Sequence, residues 1–157
     1  MFITRRLQSK LIIAVIIFLT GCTTDPYRAP FDVAAPPSNA IKLANGLAYQ
    51  VLRRGNGDQH PTLASTITVT YTGWTADGKK FDSTVNPDGN SNPATFPLNK
   101  LIQGWQDALP LMVSGEKIRV WIPGNLAYDN RNRPDAPHGM LVFDIELLSF
   151  KTNSSSE

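Results

Sequence analysis

The sequence has one cysteine, Cys22, and two histidines, His60 and His138, and this scarcity excludes several kinds of site. A single cysteine cannot form an intramolecular disulfide, so the fold has to be stable without one even in an oxidising compartment. Two distant histidines with scattered acids match no metal-ligand spacing, and no serine, histidine and acid form a recognisable nucleophile setting. The glycines fall singly at turns, not in a loop that could bind phosphate. If the chain is an enzyme, we expect chemistry that needs no nucleophile, metal or cofactor.

Positive charge is also scarce once the first ten residues are set aside. The chain has a formal net charge of +2, but Arg5, Arg6 and Lys10 all precede a short apolar run. If residues 1–21 are removed, 12 of the 15 basic side chains remain with all 13 acidic ones, and the net charge becomes −1. This balance offers no basic surface for phosphate groups, so we expect no nucleic-acid partner.

The N-terminus has the layout of a secretory signal, with basic residues, nine apolar residues from Leu11 to Leu19, and then small residues. Nine residues are too few for a transmembrane helix, which needs about 20. The segment "LTGC", which ends at Cys22, resembles the cleavage box of bacterial lipoproteins, in which the cysteine becomes the acylated first residue. We therefore predict a signal peptide at residues 1–21 and lipidation of Cys22. The alternative is a buried or incidental cysteine.

An acylated Cys22 would attach the chain to a membrane of the bacterial cell envelope. Thr23, in place of aspartate, resembles lipoproteins sent to the outer membrane, so we expect a periplasm-facing protein where a cell has two membranes. Residues 22–40 contain four prolines and are predicted to form an extended tether, too short and proline-rich for a long dimerisation helix. We expect a monomer, with the main domain at residues 41–151 and a polar tail at residues 152–157.

Alternating apolar residues predict an antiparallel sheet in the main domain. The alternation has the two-residue period of strands that bury one face. It occurs in four segments: Gly46–Leu52, Thr66–Thr72, Lys117–Ile122 and Leu141–Leu147. In the third segment, Trp121 is expected to lie with Lys117 and Arg119 on the face that points away from the core.

One short helix is predicted between the second and third of these strands. Asn99 is suited to cap its N-terminus, Leu101, Trp105 and Leu109 recur at helical spacing, and Pro110 would end it. Several half-polar strands with one helix indicate an α+β fold, in which a curved antiparallel sheet wraps around the helix.

The segment "VTYTGWTADGKKFDST" is predicted to form a hairpin with a two-residue turn at Asp77-Gly78. This turn would pair Trp74 with Phe81 and Gly73 with Asp82. A bulge or a different turn would shift the pairing by one residue and reverse the faces.

On this register Tyr71 shares a face with Asp82 and lies diagonal to it. If the neighbouring Ile67 and Val69 face the core, Asp82 points inward as well. An inward carboxylate needs a partner, and the Tyr71 hydroxyl is the nearest candidate. The alternative is that Asp82 lies at the strand end in water.

Four segments resemble those of the FKBP-type peptidyl-prolyl cis-trans isomerases: the hairpin above, "LIQGWQDALPLMVSGEKIRVWIP", "LAY" and "GMLVFDIELL". They occur in the family's order and close to its spacing, and the match covers essentially all of residues 41–151. The resemblance implies a curved antiparallel sheet around one helix, with an apolar, aromatic-lined pocket between them and no cofactor.

The resemblance also implies which residues act on a substrate. Trp105 would form the floor under a substrate proline ring, and the Ile102 backbone N–H and the Tyr128 hydroxyl would each bind a substrate carbonyl. The implied catalytic positions are Tyr71, Asp82, Ile102 and Tyr128, and the implied substrate-binding positions are Phe81, Leu101, Trp105 and Phe143. The implied partners are X-Pro segments of client proteins and macrolide inhibitors. Without the resemblance, Ile102, Trp105 and Phe143 would be interpreted as core residues.

Two regions depart from the family's pattern. Ala94 stands where an aromatic residue is expected two residues before Phe96. The loop after Tyr128, "DNRNRPDAPHG", is short and charged, where family members often carry glycine and then aliphatic residues. Both changes affect the outer wall of the pocket, and hence substrate preference and macrolide affinity.

We therefore predict a lipid-anchored prolyl isomerase that assists folding outside the cytoplasm, by binding the prolyl residue in a dry aromatic pocket and stabilising the twisted amide. The alternative from another class is a holdase chaperone that binds proline-containing segments in the same pocket, with weak or incidental isomerase activity. A purely structural envelope lipoprotein is a third hypothesis, and it predicts no pocket.

Overall fold

The computed structural model describes residues 27–131 and 133–152. The predicted signal peptide, Cys22 and most of the polar tail lie outside these residues. The described chain forms seven strands and one α-helix. The strands are β1 (Ile41–Lys42), β2 (Ala48–Arg53), β3 (Ser65–Thr75), β4 (Lys80–Ser83), β5 (Ala94–Pro97), β6 (Lys117–Ile122) and β7 (Leu141–Thr152), and the helix is α1 (Gln103–Ala108). In these residues, no helix has the length and apolar character needed to cross a membrane.

All pairings in the sheet are antiparallel, and the strand order is β1-β2-β6-β7-β3-β4. The two longest strands, β7 with 12 residues and β3 with 11, pair along their lengths in the middle of the sheet. The other edge of β3 pairs first with β5 and then with β4. The predicted fold class, an antiparallel sheet with one short helix, is confirmed.

The core lies between one face of the sheet and α1. Its buried side chains include Ile67, Val69, Ile118, Val120, Ile122, Leu141, Phe143, Ile145 and Leu147 from the strands, and Trp105 and Ala108 from the helix. These strand residues are two apart along each strand, as expected when one face of a sheet is buried. The helix closes that face because its apolar side chains have no other surface against which to pack.

The predicted role of Asn99 as a helix cap is wrong. Asn99 lies inside a 3₁₀ turn at Leu98–Lys100, whose first residue is completely buried in the core. The backbone then extends, and α1 begins at Gln103 with Ile102 at the N-cap and no side-chain capping bond. Pro110 does not end α1 either, because it lies in a second 3₁₀ turn that continues from the helix.

The other face of the sheet is covered by residues 27–40, which we call the N-terminal strap. The indole N–H of Trp74 donates a hydrogen bond to the Tyr27 carbonyl (3.1 Å), and that of Trp121 donates to the Asp32 carbonyl (2.9 Å). Both tryptophans are buried there with Val33, Ala40, Ala48 and Val142. The expectation of an extended tether therefore does not describe residues 27–40, and the expectation of a polar outer face at Trp121 is wrong.

An ion-pair cluster fastens the strap to the sheet. Arg119 donates two hydrogen bonds to the Asp144 carboxylate (2.7 and 2.9 Å) and one to Asp32 of the strap (2.7 Å). The three side chains are 13%, 15% and 6% exposed, respectively. Burial alone would lower the pKa of Arg119, but the hydrogen bonds and charge of Asp144, together with the charge of Asp32, raise it. The guanidinium is thus a fixed charge that holds two carboxylates.

Candidate functional site

The β3–β4 hairpin does not turn as the sequence predicts. The Thr75 N–H donates to the Lys79 carbonyl (3.0 Å), so three residues form the connection, and Gly78 adopts the left-handed backbone that this connection requires (φ +85°). Trp74 consequently pairs with Lys80, and the predicted pairing of Trp74 with Phe81 is wrong.

A bulge at Phe81 then corrects the register. Gly73 pairs with Asp82 and Trp74 with Lys80, so Phe81, which lies between Lys80 and Asp82, has no partner residue on β3. The longer turn and the bulge each shift the pairing by one residue, in opposite directions. Asp82 therefore lies on the predicted face of the strand, although the sequence predicted neither the three-residue turn nor the bulge that place it there.

The Tyr71 hydroxyl donates a hydrogen bond of 2.7 Å to the Asp82 carboxylate, the partner expected from the sequence. The second carboxylate oxygen accepts from the Ser83 backbone N–H (2.9 Å). Asp82 is nevertheless exposed, since it lies at the rim of the site and not inside it. Burial of the phenol, followed by the hydrogen bond and charge of Asp82, raises the pKa of Tyr71 above its ordinary value. The hydroxyl therefore remains a donor throughout the neutral range.

Aromatic rings from three elements meet edge to face beside this pair. The ring centroid of Trp105 lies 5.1 Å from that of Tyr71 and 5.4 Å from that of Phe143, with interplanar angles of 89° and 87°. Phe81 contacts Phe143 in the same manner at 5.5 Å and 87°. Such perpendicular pairs are favoured by the ring quadrupoles, so they fix each ring's orientation as well as burying it.

These rings line a cavity of about 210 Å³ between the sheet and α1, which is partly open to solvent. Its lining residues are Tyr71, Phe81, Asp82, Phe96, Leu101, Ile102, Trp105, Tyr128 and Phe143. All eight residues that the resemblance implied are thus brought to one cavity. Sites for drug-sized ligands commonly occupy about 300–1,000 Å³, so this cavity suits a single small ring.

Two residues of the site were not singled out from the sequence. Phe96 lines the cavity from β5, a strand too short to be recognised by alternation. Ala94 precedes it on the same face of β5 but does not line the cavity. Gly73 lies directly behind the rings, and a Cβ there would be 2.7 Å from Phe143 and 2.8 Å from Phe81. Only glycine leaves room for both rings at this position.

Two donors at the cavity have no partner in the part of the chain that the structure describes. The Ile102 backbone N–H, at the N-cap of α1, makes no hydrogen bond there, and neither does the Tyr128 hydroxyl. The indole N–H of Trp105 is likewise unpaired, but it is buried. An apolar cavity with two free donors can hold a ring and bind the carbonyl groups beside it.

A wider groove of about 520 Å³ continues from the cavity and shares Phe81, Asp82 and Tyr128 with it. Its other side is formed by residues 133–137, in the charged loop after Tyr128. Across residues 27–131 and 133–152, no three histidine, cysteine, aspartate or glutamate side chains are placed to hold a metal ion. Cys22 lies outside these ranges, so its lipidation stays a prediction.

The comparisons with known proteins converge on one family. The model of FKBP-type peptidyl-prolyl cis-trans isomerases matches residues 57–148. The outer membrane protein MIP of Legionella longbeachae is 40% identical over 113 residues, which are 71% of this chain and 47% of that protein. A peptidyl-prolyl cis-trans isomerase of Schizosaccharomyces pombe is 39% identical over 106 residues, which are 66% of this chain and 94% of that protein.

The crystal structure of FkpA from Escherichia coli has the same fold, with a TM-score of 0.65 and 37% sequence identity. The similarity covers 74% of this chain and 53% of that one. This chain spans less than half the length of the relatives from Coxiella burnetii, Aeromonas hydrophila and Legionella longbeachae, whereas it spans nearly all of the S. pombe protein.

Proposed function

This chain belongs to the FKBP-type peptidyl-prolyl cis-trans isomerases, and we propose that it accelerates cis/trans exchange of X-Pro bonds in proteins that fold outside the cytoplasm. The observation that carries the proposal is the cavity over Trp105, which is the size of one small ring and has two unpaired donors at its edge. No covalent chemistry is needed for this reaction, in agreement with the residues that the sequence lacks.

The physical problem is the barrier to rotation about the peptide C–N bond, about 18–20 kcal/mol, which arises from amide resonance. X-Pro bonds populate both isomers but exchange over tens to hundreds of seconds. The planar amide is more charge-separated than the twisted one, so water stabilises the ground state more than the transition state. A dry cavity removes water's stronger stabilisation of the planar ground state and so lowers the barrier. Each reduction of about 1.4 kcal/mol in the barrier gives a tenfold increase in rate.

The cavity residues would make different contacts with the substrate. The proline ring would lie over Trp105 within the ring cluster, where it displaces water. The Ile102 N–H and the Tyr128 hydroxyl would bind the carbonyl groups on either side and hold the chain while the bond rotates. Asp82 would keep the Tyr71 hydroxyl in place at the rim; we assign it no proton transfer.

A peptide exchange assay tests the proposal. The chain from Thr23 to Glu157 should accelerate exchange in an X-Pro peptide, and a macrolide that fills the cavity should compete. Tyr128→Phe removes one donor and should lower kcat/KM about tenfold, while Tyr49→Phe, which removes a hydroxyl outside the cavity, should leave it unchanged. No acceleration at micromolar protein would refute the isomerase proposal.

A holdase chaperone is the second candidate, and the open groove beside the cavity favours it because the groove can hold more of a client than one proline. Asp82→Ala and Tyr128→Phe separate the two functions. If these variants lose exchange but still suppress aggregation of an unfolded client, binding is the main function and catalysis is secondary. The third hypothesis, a structural lipoprotein without a pocket, is excluded by the ring cluster.

We propose that Cys22 carries the lipid anchor that its surrounding segment predicts, with the domain facing the periplasm. The proposal is supported by the signal-like N-terminus and by a relative whose name is outer membrane protein MIP. Mass spectrometry of the membrane fraction should find residue 22 as the acylated N-terminus. Cys22→Ser should release the protein from the membrane, and its retention there would contradict the proposal.

A further inference from the structure

The two ends of the charged loop after Tyr128 are joined beside the cavity. The Asp129 carboxylate accepts a hydrogen bond from the Gly139 N–H (2.8 Å), which joins the two ends of the loop. The Asp129 N–H in turn donates to the Gly124 carbonyl (3.1 Å), and a Cβ on Gly124 would overlap the Asp129 carboxylate. Because Tyr128 directly precedes Asp129, these contacts set the loop's position relative to a residue that lines the cavity.

Arg133 is the basic residue that this loop places at the groove. Its guanidinium carbon lies 5.9 Å from the centroid of the Tyr128 ring, within the range of a cation–π contact. In the described ranges, no carboxylate lies within ion-pairing distance of Arg133. The loop therefore presents a guanidinium without an ion-pair partner among the described residues, beside a ring shared by the groove and the cavity.

Two acidic residues, Asp82 and Asp135, also line the groove and have to be weighed against this charge. Both oxygens of Asp82 already accept hydrogen bonds, from Tyr71 and Ser83. Asp135 lines only the groove, whereas Arg133 contacts a ring that belongs to the groove and the cavity alike. Arg133 is thus the one basic side chain among the described residues that line the groove, and it lies beside the Tyr128 ring. Asp82 keeps its negative charge but is held by Tyr71 and Ser83.

We propose that Arg133 is a specificity-determining residue, which favours clients that carry an acidic side chain next to the proline. The inference rests on the proposed isomerase function, because it requires the prolyl ring in the cavity and the flanking residue in the groove. Arg133 is exposed, so an ion pair there should change the relative kcat/KM by about two- to fivefold and weaken as salt is added.

Two X-Pro peptide series test the inference, one varying the residue before the proline and one the residue after it. Each contains Glu, Gln and Lys at that position. In at least one series, the wild-type chain should act on the Glu peptide about two- to fivefold better than on the Gln peptide, and least well on Lys. Arg133→Gln should abolish the preference for Glu, and Arg133→Glu should reverse it in favour of Lys, because Asp82 and Asp135 then face no basic side chain among the described residues of the groove.

Arg54→Gln is the matched control, since it makes the same charge change at an exposed residue away from the groove, and it should preserve the preference. Equal Glu and Lys rates in both series for the wild type, or an unchanged preference in Arg133→Gln, would overturn the inference. The Gln peptides separate this failure from that of the proposed function. If they are exchanged without any charge preference, the isomerase proposal stands and the role of Arg133 does not.

Discussion

Replacing Gly73 by alanine tests whether the ring cluster has to keep its present positions. The backbone of Gly73 is extended, so alanine meets no conformational penalty there, and the only obstacle is space. The new methyl carbon would lie 2.7–2.9 Å from ring atoms of Phe81 and Phe143. Ordinary carbon contacts are about 3.5–4.0 Å, so one or both rings have to move by about 0.7–1.3 Å.

Both rings line the cavity, so their displacement away from β3 should take space from it, and Trp105 packs against Phe143 from the side. Overpacking of this kind lowers the free energy of unfolding by about 1–3 kcal/mol. The effect on catalysis should be larger than on folding, since the same movement takes volume from a cavity of about 210 Å³. We expect kcat/KM to fall at least tenfold, which is a loss of about 1.4 kcal/mol in transition-state stabilisation.

The assay pairs peptide exchange with urea unfolding, and Gly55→Ala provides the control. A Cβ on Gly55 would lie 2.5 Å from the Ser114 carbonyl oxygen, far from the cavity lining, so this variant should lose stability without losing activity per folded molecule. If Gly73→Ala retains kcat/KM within twofold of the wild type, the rings can accommodate the methyl group without reducing the cavity. The proposed link between ring position and rate would then be refuted.

Two further predictions concern the titration of Tyr71 and the attachment of the strap. Because the pKa of Tyr71 is raised in the folded state, the tyrosine ionises first in the unfolded state as the pH rises. The free energy of unfolding of the wild type, relative to that of Tyr71→Phe, should therefore be constant from about pH 7 to pH 9 and should fall above about pH 10. Urea unfolding measures this difference, and a fall below pH 9 would contradict the prediction. Arg119→Met leaves the buried carboxylates of Asp32 and Asp144 without their ion-pair partner, so the free energy of unfolding should drop by about 3–5 kcal/mol. Amide hydrogen exchange should accelerate more in residues 27–40 than in β7. Equal acceleration in both would contradict a local role for the ion pairs.

The sequence predicts best the parts of the fold that a single buried face explains. The alternation of Ile118, Val120 and Ile122 identifies β6 because the core lies on one side of it. It does not predict the burial of Trp121, whose cover comes from the strap some ninety residues earlier in the chain. The strands β1 and β5, of two and four residues, are too short to show any period.

Most of the site was predicted from the family's motifs, and only the pairing of Tyr71 with Asp82 was predicted from local geometry. The predicted pairing of Asp82 with Gly73 is correct only because the longer turn and the bulge at Phe81 shift the strand register in opposite directions. Phe96 and Gly73 were missed for different reasons, the first because its strand is short, the second because a glycine that makes room for two rings looks like any other glycine in a strand. The sequence indicated only that the loop after Tyr128 is charged, and the place of Arg133 over Tyr128 depends on how Asp129 closes that loop.

The strap also determines how far the domain could stand from a bilayer. If Cys22 is acylated, as we propose, five peptide units separate the lipid-bearing residue from Tyr27, where the first described contact of the strap lies. Fully extended, these units reach about 18 Å, a fraction of the span that residues 22–40 would allow as an open chain. The strapped face of the sheet would then lie close to the headgroups, with the prolyl cavity on the far side. Clients would approach from the aqueous side, with no need to enter the gap beneath the domain.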